Sequence, residues 1–234
     1  FWGELGIGSK GTDTHVPTQV LNLVDIVQLA TSQDATFVRD GAGAIFGWGK
    51  NVTGHLLDGT AQSSTVAKLV GSDSPVPASV DLCAGETQVC VVRKSDNKVL
   101  CWGKGDDGEV GNGKSGANNI VKTPTEVVDA PKSKRVFCGR GHTCAVSLAG
   151  QLHCWGRNSS AQLGTGSTVA ALTAVWSEQV TSVTKAALGI AHTCVLTNGQ
   201  VRCFGRNDQG QVGAGLGSAT TVKKVVIVKL AAKA

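Results

Sequence analysis

The stretch Gly139-Arg140-Gly141-His142-Thr143-Cys144-Ala145-Val146 decides the fold, together with Gln151-Leu152-His153-Cys154-Trp155-Gly156 and Ala161-Gln162-Leu163-Gly164-Thr165-Gly166 behind it, because the chain repeats these three blocks. Gly189 to Val195 with Val201 to Gly205 restates the first two, and Gly210-Gln211-Val212-Gly213-Ala214-Gly215 restates the third. The aromatic-glycine pairs Trp2-Gly3, Trp48-Gly49, Trp102-Gly103, Trp155-Gly156 and Phe204-Gly205 recur about every 50 residues, a period typical of propeller repeats. Gly3-Glu4-Leu5-Gly6-Ile7-Gly8 and Gly108-Glu109-Val110-Gly111-Asn112-Gly113 are further copies of the glycine cluster, and Gly54 to Gly59 is a decayed one.

Within each unit, short β-branched and apolar runs are bounded by Gly, Asn and Asp clusters. Val195-Leu196-Thr197-Asn198-Gly199-Gln200-Val201 reads as a hairpin closed by an Asn-Gly turn. No window carries a sustained 3.6-residue apolar stripe, so almost no helix is expected. Four short strands per period suit a propeller blade better than a helical solenoid. The expected fold is all-β: β-propeller blades of four antiparallel strands in a single repeat domain over 1–234. Its units run over about 1–48, 49–102, 103–155 and 156–204, with an incomplete one at 205–234, about four and a half repeats in all.

Composition agrees. Glycine contributes 31 of the 234 residues, about 13% and near twice the average share, and the repeat turns absorb most of it. The net charge of +5 is spread along the chain. No basic run reaches the length that marks a nucleic-acid patch, so no nucleic-acid partner is expected. The most apolar segment, Val225 to Val228, is short and flanked by lysines, and no membrane span is expected. The sequence begins at Phe1 and contains no methionine, which reads as a processed product or an internal fragment.

The order Gly-x-x-His-Thr-Cys, apolar strand, turn, Cys-Trp-Gly-x-Asn and Gly-Gln-(Leu/Val)-Gly-x-Gly resembles the repeats of the regulator of chromosome condensation family. The likeness is strong from Val80 to Gly217 and weaker from Ala30 to Gly59. It implies a β-propeller, usually of seven blades. It implies no single function, since this fold hosts exchange factors, photoreceptors, enzyme inhibitors and secreted proteins. The photoreceptor branch carries clustered tryptophans beside the Gly-x-x-His-Thr block, where this chain has Arg140-Gly141 and Ile190-Ala191, which disfavours that role. The exchange-factor branch acts in the nucleus, where so many paired cysteines would be unusual.

Three repeats place one cysteine in the His-Thr-Cys strand and one just before Trp-Gly or Phe-Gly: Cys90 and Cys101, Cys144 and Cys154, Cys194 and Cys203. Each pair faces across one hairpin, at a separation a disulfide tolerates. The first repeat is a control, because Phe37 and Gly47 replace both cysteines together. Cys83 and Cys138 have opposite strand parity relative to the repeat glycines. That lets the innermost strands of stacked blades point them at each other, as an inter-blade staple. Zinc is a poor reading without a Cys-x-x-Cys pair, and an even count of eight suits an oxidising compartment better than free thiols.

Chemistry is sparse. His142 and His192 share the repeat's His-Thr position, so a structural role is expected of them. No catalytic triad order, His-Glu-x-x-His or nucleophile elbow is present. The glycine clusters lie in repeating turns without a following helix, which argues against a phosphate cradle. No enzyme activity, metal or cofactor is expected. Only Trp176 falls outside the tryptophan pattern; core packing is the leading expectation for it, with an exposed contact residue as the alternative. The sequons at Asn51 and Asn158 fall in the loop after Trp-Gly-x, where N-linked glycans are expected to be exposed.

A seven-bladed ring at about 50 residues per blade needs about 350 residues. The chain is therefore expected to be a fragment of a larger ring, a smaller ring, or a unit completed by neighbouring copies. In the last case the Val222 to Val228 strand, with Val225 and Ile227, would pair beside Gly3 and Leu5 of the next subunit. The leading expectation is an extracellular, disulfide-stapled structural glycoprotein that self-assembles, with other copies of itself as partners. The alternative is a secreted binding or inhibitor module that presents propeller loops to a protein or glycan.

Overall fold

The computed structural model describes residues 2–11, 14–177, 180–213 and 220–228. Phe1, Ala214 and Gly215 of the last glycine cluster, and Lys229 to Ala234 at the end of the incomplete unit, lie outside the described residues. All sixteen elements are strands, arranged as four antiparallel four-stranded sheets.

The first blade comprises β1 (Ile26–Thr31), β2 (Ala35–Asp40), β3 (Ile45–Gly49) and β4 (Ser64–Leu69), paired in chain order. The second comprises β5 (Ser79–Ala84), β6 (Gln88–Arg93), β7 (Val99–Lys104) and β8 (Ile120–Glu126). The third comprises β9 (Ser133–Cys138), β10 (His142–Ser147), β11 (Leu152–Gly156) and β12 (Ala171–Trp176), and the fourth β13 (Val183–Leu188), β14 (His192–Thr197), β15 (Gln200–Arg206) and β16 (Thr221–Ile227). The first strand of every blade lines one central channel, through Gln28 to Thr31, Asp81 to Ala84, Arg135 to Cys138 and Ala186 to Leu188. Units cut at Trp-Gly therefore fall inside the third strand. Each such unit contributes the outer strand of one blade and the three inner strands of the next, which ties consecutive blades through the chain itself.

Local chemistry sets the hairpins. Thr197 pairs with Gln200, so the β14–β15 loop holds only Asn198 and Gly199, at φ 49° and 73°. Both central residues of a type I′ turn need positive φ, which is why Asn-Gly stands there. In the second and third blades the alternation of strand side chains serves two buried faces, because a neighbouring blade covers each side. β10 is buried at every position from His142 to Ser147.

The three junctions between blades are the three apolar cores. Phe37, Ile45 and Leu56 of the first meet Leu82, Val89, Val91 and Trp102 of the second. Cys90, Val92 and Cys101 meet Val136, Ala145 and Trp155, and Cys144, Val146 and Leu152 meet Val183, Val195 and Phe204. The cross-hairpin disulfides Cys90–Cys101 and Cys144–Cys154 thus serve as packing surface for the following blade. In the first blade the ring of Phe37 occupies that place. A Cβ on the opposing Gly47 would lie 2.9 Å from that ring, so aromatic and glycine replace the two cysteines as a volume-matched pair. The remaining disulfides are Cys194–Cys203 and Cys83–Cys138, so the structure contains the four pairs named from the sequence.

One polar contact recurs at the junctions. Trp48, Trp102 and Trp155 donate Nε1–H to the backbone carbonyls of Glu4, His55 and Glu109, at 2.7, 2.8 and 2.8 Å. Each acceptor belongs to the glycine-cluster loop of the preceding unit. The indole lies flat on that loop, and a Cβ on Gly6 or Gly111 would come within 2.7 or 2.8 Å of the indole nitrogen. These glycines also adopt φ of 69° and 73°, so both the backbone and the close approach require glycine. In the decayed unit Leu57 takes the same left-handed conformation, at φ 52°. In the fourth blade Phe204 replaces tryptophan. There the free carbonyl of Gln162 accepts from Thr193 Oγ1 at 2.8 Å.

Trp155→Phe should therefore cost about 0.5–1.5 kcal/mol, the worth of one hydrogen bond. Trp155→Ala should cost about 3–5 kcal/mol through the cavity it opens. Urea denaturation of both variants measures the difference, and equal losses would contradict the division between ring packing and the indole bond.

Candidate interaction surfaces

Above the channel, the turns after the inner strands carry the Gly-x-x-His-Thr blocks. His142 is completely buried, with Nε2 2.9 Å from Thr193 Oγ1 of the next blade. Gln88 holds the equivalent place one blade earlier, donating to the Gly139 carbonyl at 3.1 Å and to Thr143 Oγ1 at 3.4 Å. Thr143 and Thr36 donate to the carbonyls of Glu109 and Glu4, the same acceptors the tryptophans use. A lateral ladder of His or Gln to Thr to loop carbonyl thus stitches blade to blade. His142 sits over Gly139 and His192 over Gly189, where a Cβ would lie within 2.7 Å of either ring, which explains the glycine three residues before each histidine. Burial drives the His142 imidazole down to about 3 and lowers that of His192. Among the described residues no carboxylate bonds either ring, so they form no acid-base pair.

Asn51 and Asn158 are not exposed acceptors. Both are fully buried. Asn158 Nδ2 donates to the carbonyls of Ser167 and Val169 at 3.0 and 2.9 Å, while its Oδ1 accepts from the Leu163 amide. Asn51 likewise donates to Asp58, Thr60 and Gln62 and accepts from the Leu56 amide. The expected exposure of these positions is corrected: the side-chain amide nitrogen closes the loop after Trp-Gly from within. Where the second blade has Gly105, Asn119 enters the vacated space from the other side and donates to the Gly105 carbonyl at 3.1 Å.

The two segments expected to pair between copies are differently disposed. Gly3 and Leu5 belong to turns rather than a strand, and the segment is already seated in this chain. The Gly8 amide donates to Thr65, the Glu4 carbonyl receives Trp48, and a Cβ on Gly3 would strike the Thr65 backbone at 2.8 Å. Val225 is half-buried and Ile227 exposed on β16, which pairs with β15.

What the structure leaves open is a pair of blade faces. Leu29 of β1 is 65% exposed, whereas its register equivalents Leu82 and Val136 are 3% and 1% exposed beneath the preceding blade. Val27, Ile26 and Val24 are exposed beside it. On the opposite flank, Cys194 and Leu196 of β14 are half-exposed, whereas Cys144 and Val146 are completely covered by the fourth blade. Sequence reading missed these residues because Leu29 is an ordinary strand residue; only its register with the covered positions marks it. Trp176 is exposed on β12, near half of its surface free. A separate cavity of about 540 Å³ opens where the channel meets the turns, lined by Ser32, Gly85, Glu86, Cys138, Arg140 and Ile190 among others. Arg140 and Glu86 pair across it at 2.6 Å.

Electrostatically the most perturbed carboxyl is Glu109, buried in the loop beneath Trp155. Burial pushes it up to about 7, against the Asp107 amide that donates to it at 2.8 Å. The unfolded carboxyl ionises near 4.5, so stability falls as pH rises from there to about 7. His142 acts in the opposite sense: the unfolded imidazole takes up a proton below 6.5 and the folded one resists to about 3, so stability falls as pH drops through that window. Glutamine already serves at the equivalent Gln162, whose Oε1 accepts from the Ser160 amide. Glu109→Gln should therefore stabilise the protein by on the order of 3 kcal/mol at pH 8, or roughly 6–12 °C in melting temperature. The gain should shrink towards pH 4.5. Melts across this range check it, and a gain independent of pH would contradict the assignment.

Residues 96–146 and 149–196 match the Regulator of chromosome condensation (RCC1) repeat family model, and 134–162 and 183–211 match a second model of the same repeat. Probable E3 ubiquitin-protein ligase HERC4 of Rattus norvegicus is 32% identical over 172 residues, 71% of this chain and 16% of the ligase. Human E3 ubiquitin-protein ligase HERC2 is 29% identical over 178 residues, 70% of this chain and 4% of the ligase. Human WBSCR16 superposes with a TM-score of 0.82 at 17% identity, over 98% of this chain and 60% of the other. Yeast RCC1 (Prp20) bound to Kap60 does so with a TM-score of 0.77 at 20% identity, over 91% and 51%. The chain thus spans about half the length of these solved propellers and a small part of the ligases. Its repeated Trp-Gly locks, His-Thr ladders and four-stranded blades, with these matches, make it a member of the regulator of chromosome condensation repeat family.

Proposed function

We propose that this chain is a non-catalytic propeller scaffold of an oxidising, extracellular setting, which associates with further copies of itself blade face to blade face. The exposure of Leu29, at a position that two other blades bury almost completely, carries the reading. A sheet face built to be covered is matched best by another blade of the same repeat, whether from adjoining sequence or from a second copy, whose half-exposed Cys194 and Leu196 flank offers one. The contact is heterologous, head to tail, so it propagates or closes according to its rotation. Four disulfides, with every cysteine paired, support the oxidising compartment. The likeness to ubiquitin ligases touches 16% of one and 4% of another, and lends this chain no ligase activity.

A second reading, favoured by the cavity of about 540 Å³ at the channel mouth, is a binding module that holds a protein or glycan on its turn face.

Native mass spectrometry at micromolar concentration should give a series of multiples, and a discrete monomer would overturn the assembly reading in favour of the second. Burying a leucine contributes about 1.5–3 kcal/mol. Leu29→Glu should therefore weaken association about tenfold or more while leaving the circular dichroism of the monomer unchanged.

A further inference from the structure

The innermost strands touch at register-equivalent positions around the channel. At the first junction these are Ala30 and Ala84, and at the third Phe137 and Leu188, all belonging to the apolar cores there. At the second junction they are Cys83 and Cys138, covalently joined. At two of three junctions no covalent bond joins these positions, so the fold does not require one here. Among the described residues this is the single disulfide that crosses from blade to blade.

Its surroundings are unlike those of the other bridge nearby. Cys138 is partly exposed and lines both the channel and the cavity at its mouth. Cys90 and Cys101 are completely buried. Yet Cys90 stands directly opposite Cys83 on the neighbouring strand, and the sulfurs of Cys83, Cys90 and Cys138 all lie within 4.8 Å of one another. A partly exposed disulfide therefore adjoins a completely buried one.

We propose that Cys83–Cys138 is a thiol–disulfide exchange site, entered through the central channel by a small-molecule thiol and relayed to Cys90. The incoming thiolate attacks Cys138 Sγ, the accessible sulfur. A bond forms between the two, the Cys83–Cys138 bond breaks, and Cys83 leaves as the thiolate. Cys83 Sγ then attacks Cys90 Sγ, forming Cys83–Cys90 and expelling Cys101 as the thiolate, which takes up the proton that the incoming thiol released on ionising. Directly opposed strand residues have Cα atoms about 4.5–5.5 Å apart, which a disulfide accepts. The second step needs no further reductant, since one disulfide is exchanged for another. The outcome unpins the second blade from the third while keeping β5 joined to β6. The inference is independent of self-association and uses neither open face.

Incubation of the folded protein with glutathione, followed by acid quenching and peptide mapping, tests it. The expected product carries glutathione on Cys138, a new Cys83–Cys90 cross-link and a free thiol at Cys101, with Cys144–Cys154 intact. Glutathione on Cys138 with Cys90–Cys101 retained would overturn the relay, and complete resistance of Cys83–Cys138 while the protein stays folded would overturn the site. The double variant Cys83→Ala/Cys138→Ala, which imitates the alanine pair of the first junction, should keep Cys90–Cys101 unreduced over the same period. Reduction of that bond at the wild-type rate would also overturn the relay. Should the double variant fail to fold, the product map of the natural protein decides alone.

Discussion

Everything in this molecule depends on an indole lying flat on the glycine loop of the preceding unit. The contact satisfies three demands together. It buries a large apolar ring, gives its N–H a backbone partner and, over Gly6 and Gly111, brings the ring so close that the loop beneath has no room for a side chain. A buried indole nitrogen without an acceptor would cost part of what the ring's burial contributes. The loop must therefore present a carbonyl as well as a gap. That is why the motif couples Trp-Gly in one unit to Gly-x-x-Gly-x-Gly in the one before, and why neither half means much alone.

The variations follow the same physics. Phe204 has no N–H, and the carbonyl of Gln162 keeps the threonine donor, Thr193, that Thr36 and Thr143 also supply beside a tryptophan. Phe37 and Gly47 fill the space that a disulfide fills in the other three blades. Asn119 replaces, from a different point in the chain, the asparagine absent at Gly105. In each case the space is kept while the residue that fills it changes. The polar ladder of Gln88, His142 and the threonines has the same character. Its histidine is held neutral by burial, so what looks like a catalytic base in the sequence is a spacer between blades.

Two consequences set the protein's surface. Blades stack through faces, so the exposed strand faces around Leu29 and around Leu196 are copies of surfaces that lie inside the molecule elsewhere. Inner strands converge on a channel, so a bond at the inner rim is both inter-blade and solvent-facing. Cys83–Cys138 is such a bond, beside a buried one.

The sequence by itself determined the period, the strand character, the Asn198-Gly199 turn and the four cysteine pairs, because each is written in local spacing or in parity along a strand. It misplaced what depends on which face is covered. Asn51 and Asn158 sit in polar, glycine-rich loops and read as exposed, but their amides close those loops from within. Gly3 and Leu5 read as a free edge, but the segment is already docked on Thr65 and Trp48. Nothing in the sequence around Leu29 marks it as uncovered. Only the tertiary structure decided these, since burial in a propeller is conferred by the neighbouring blade, some 50 residues away in the sequence, and not by the strand that carries the side chain.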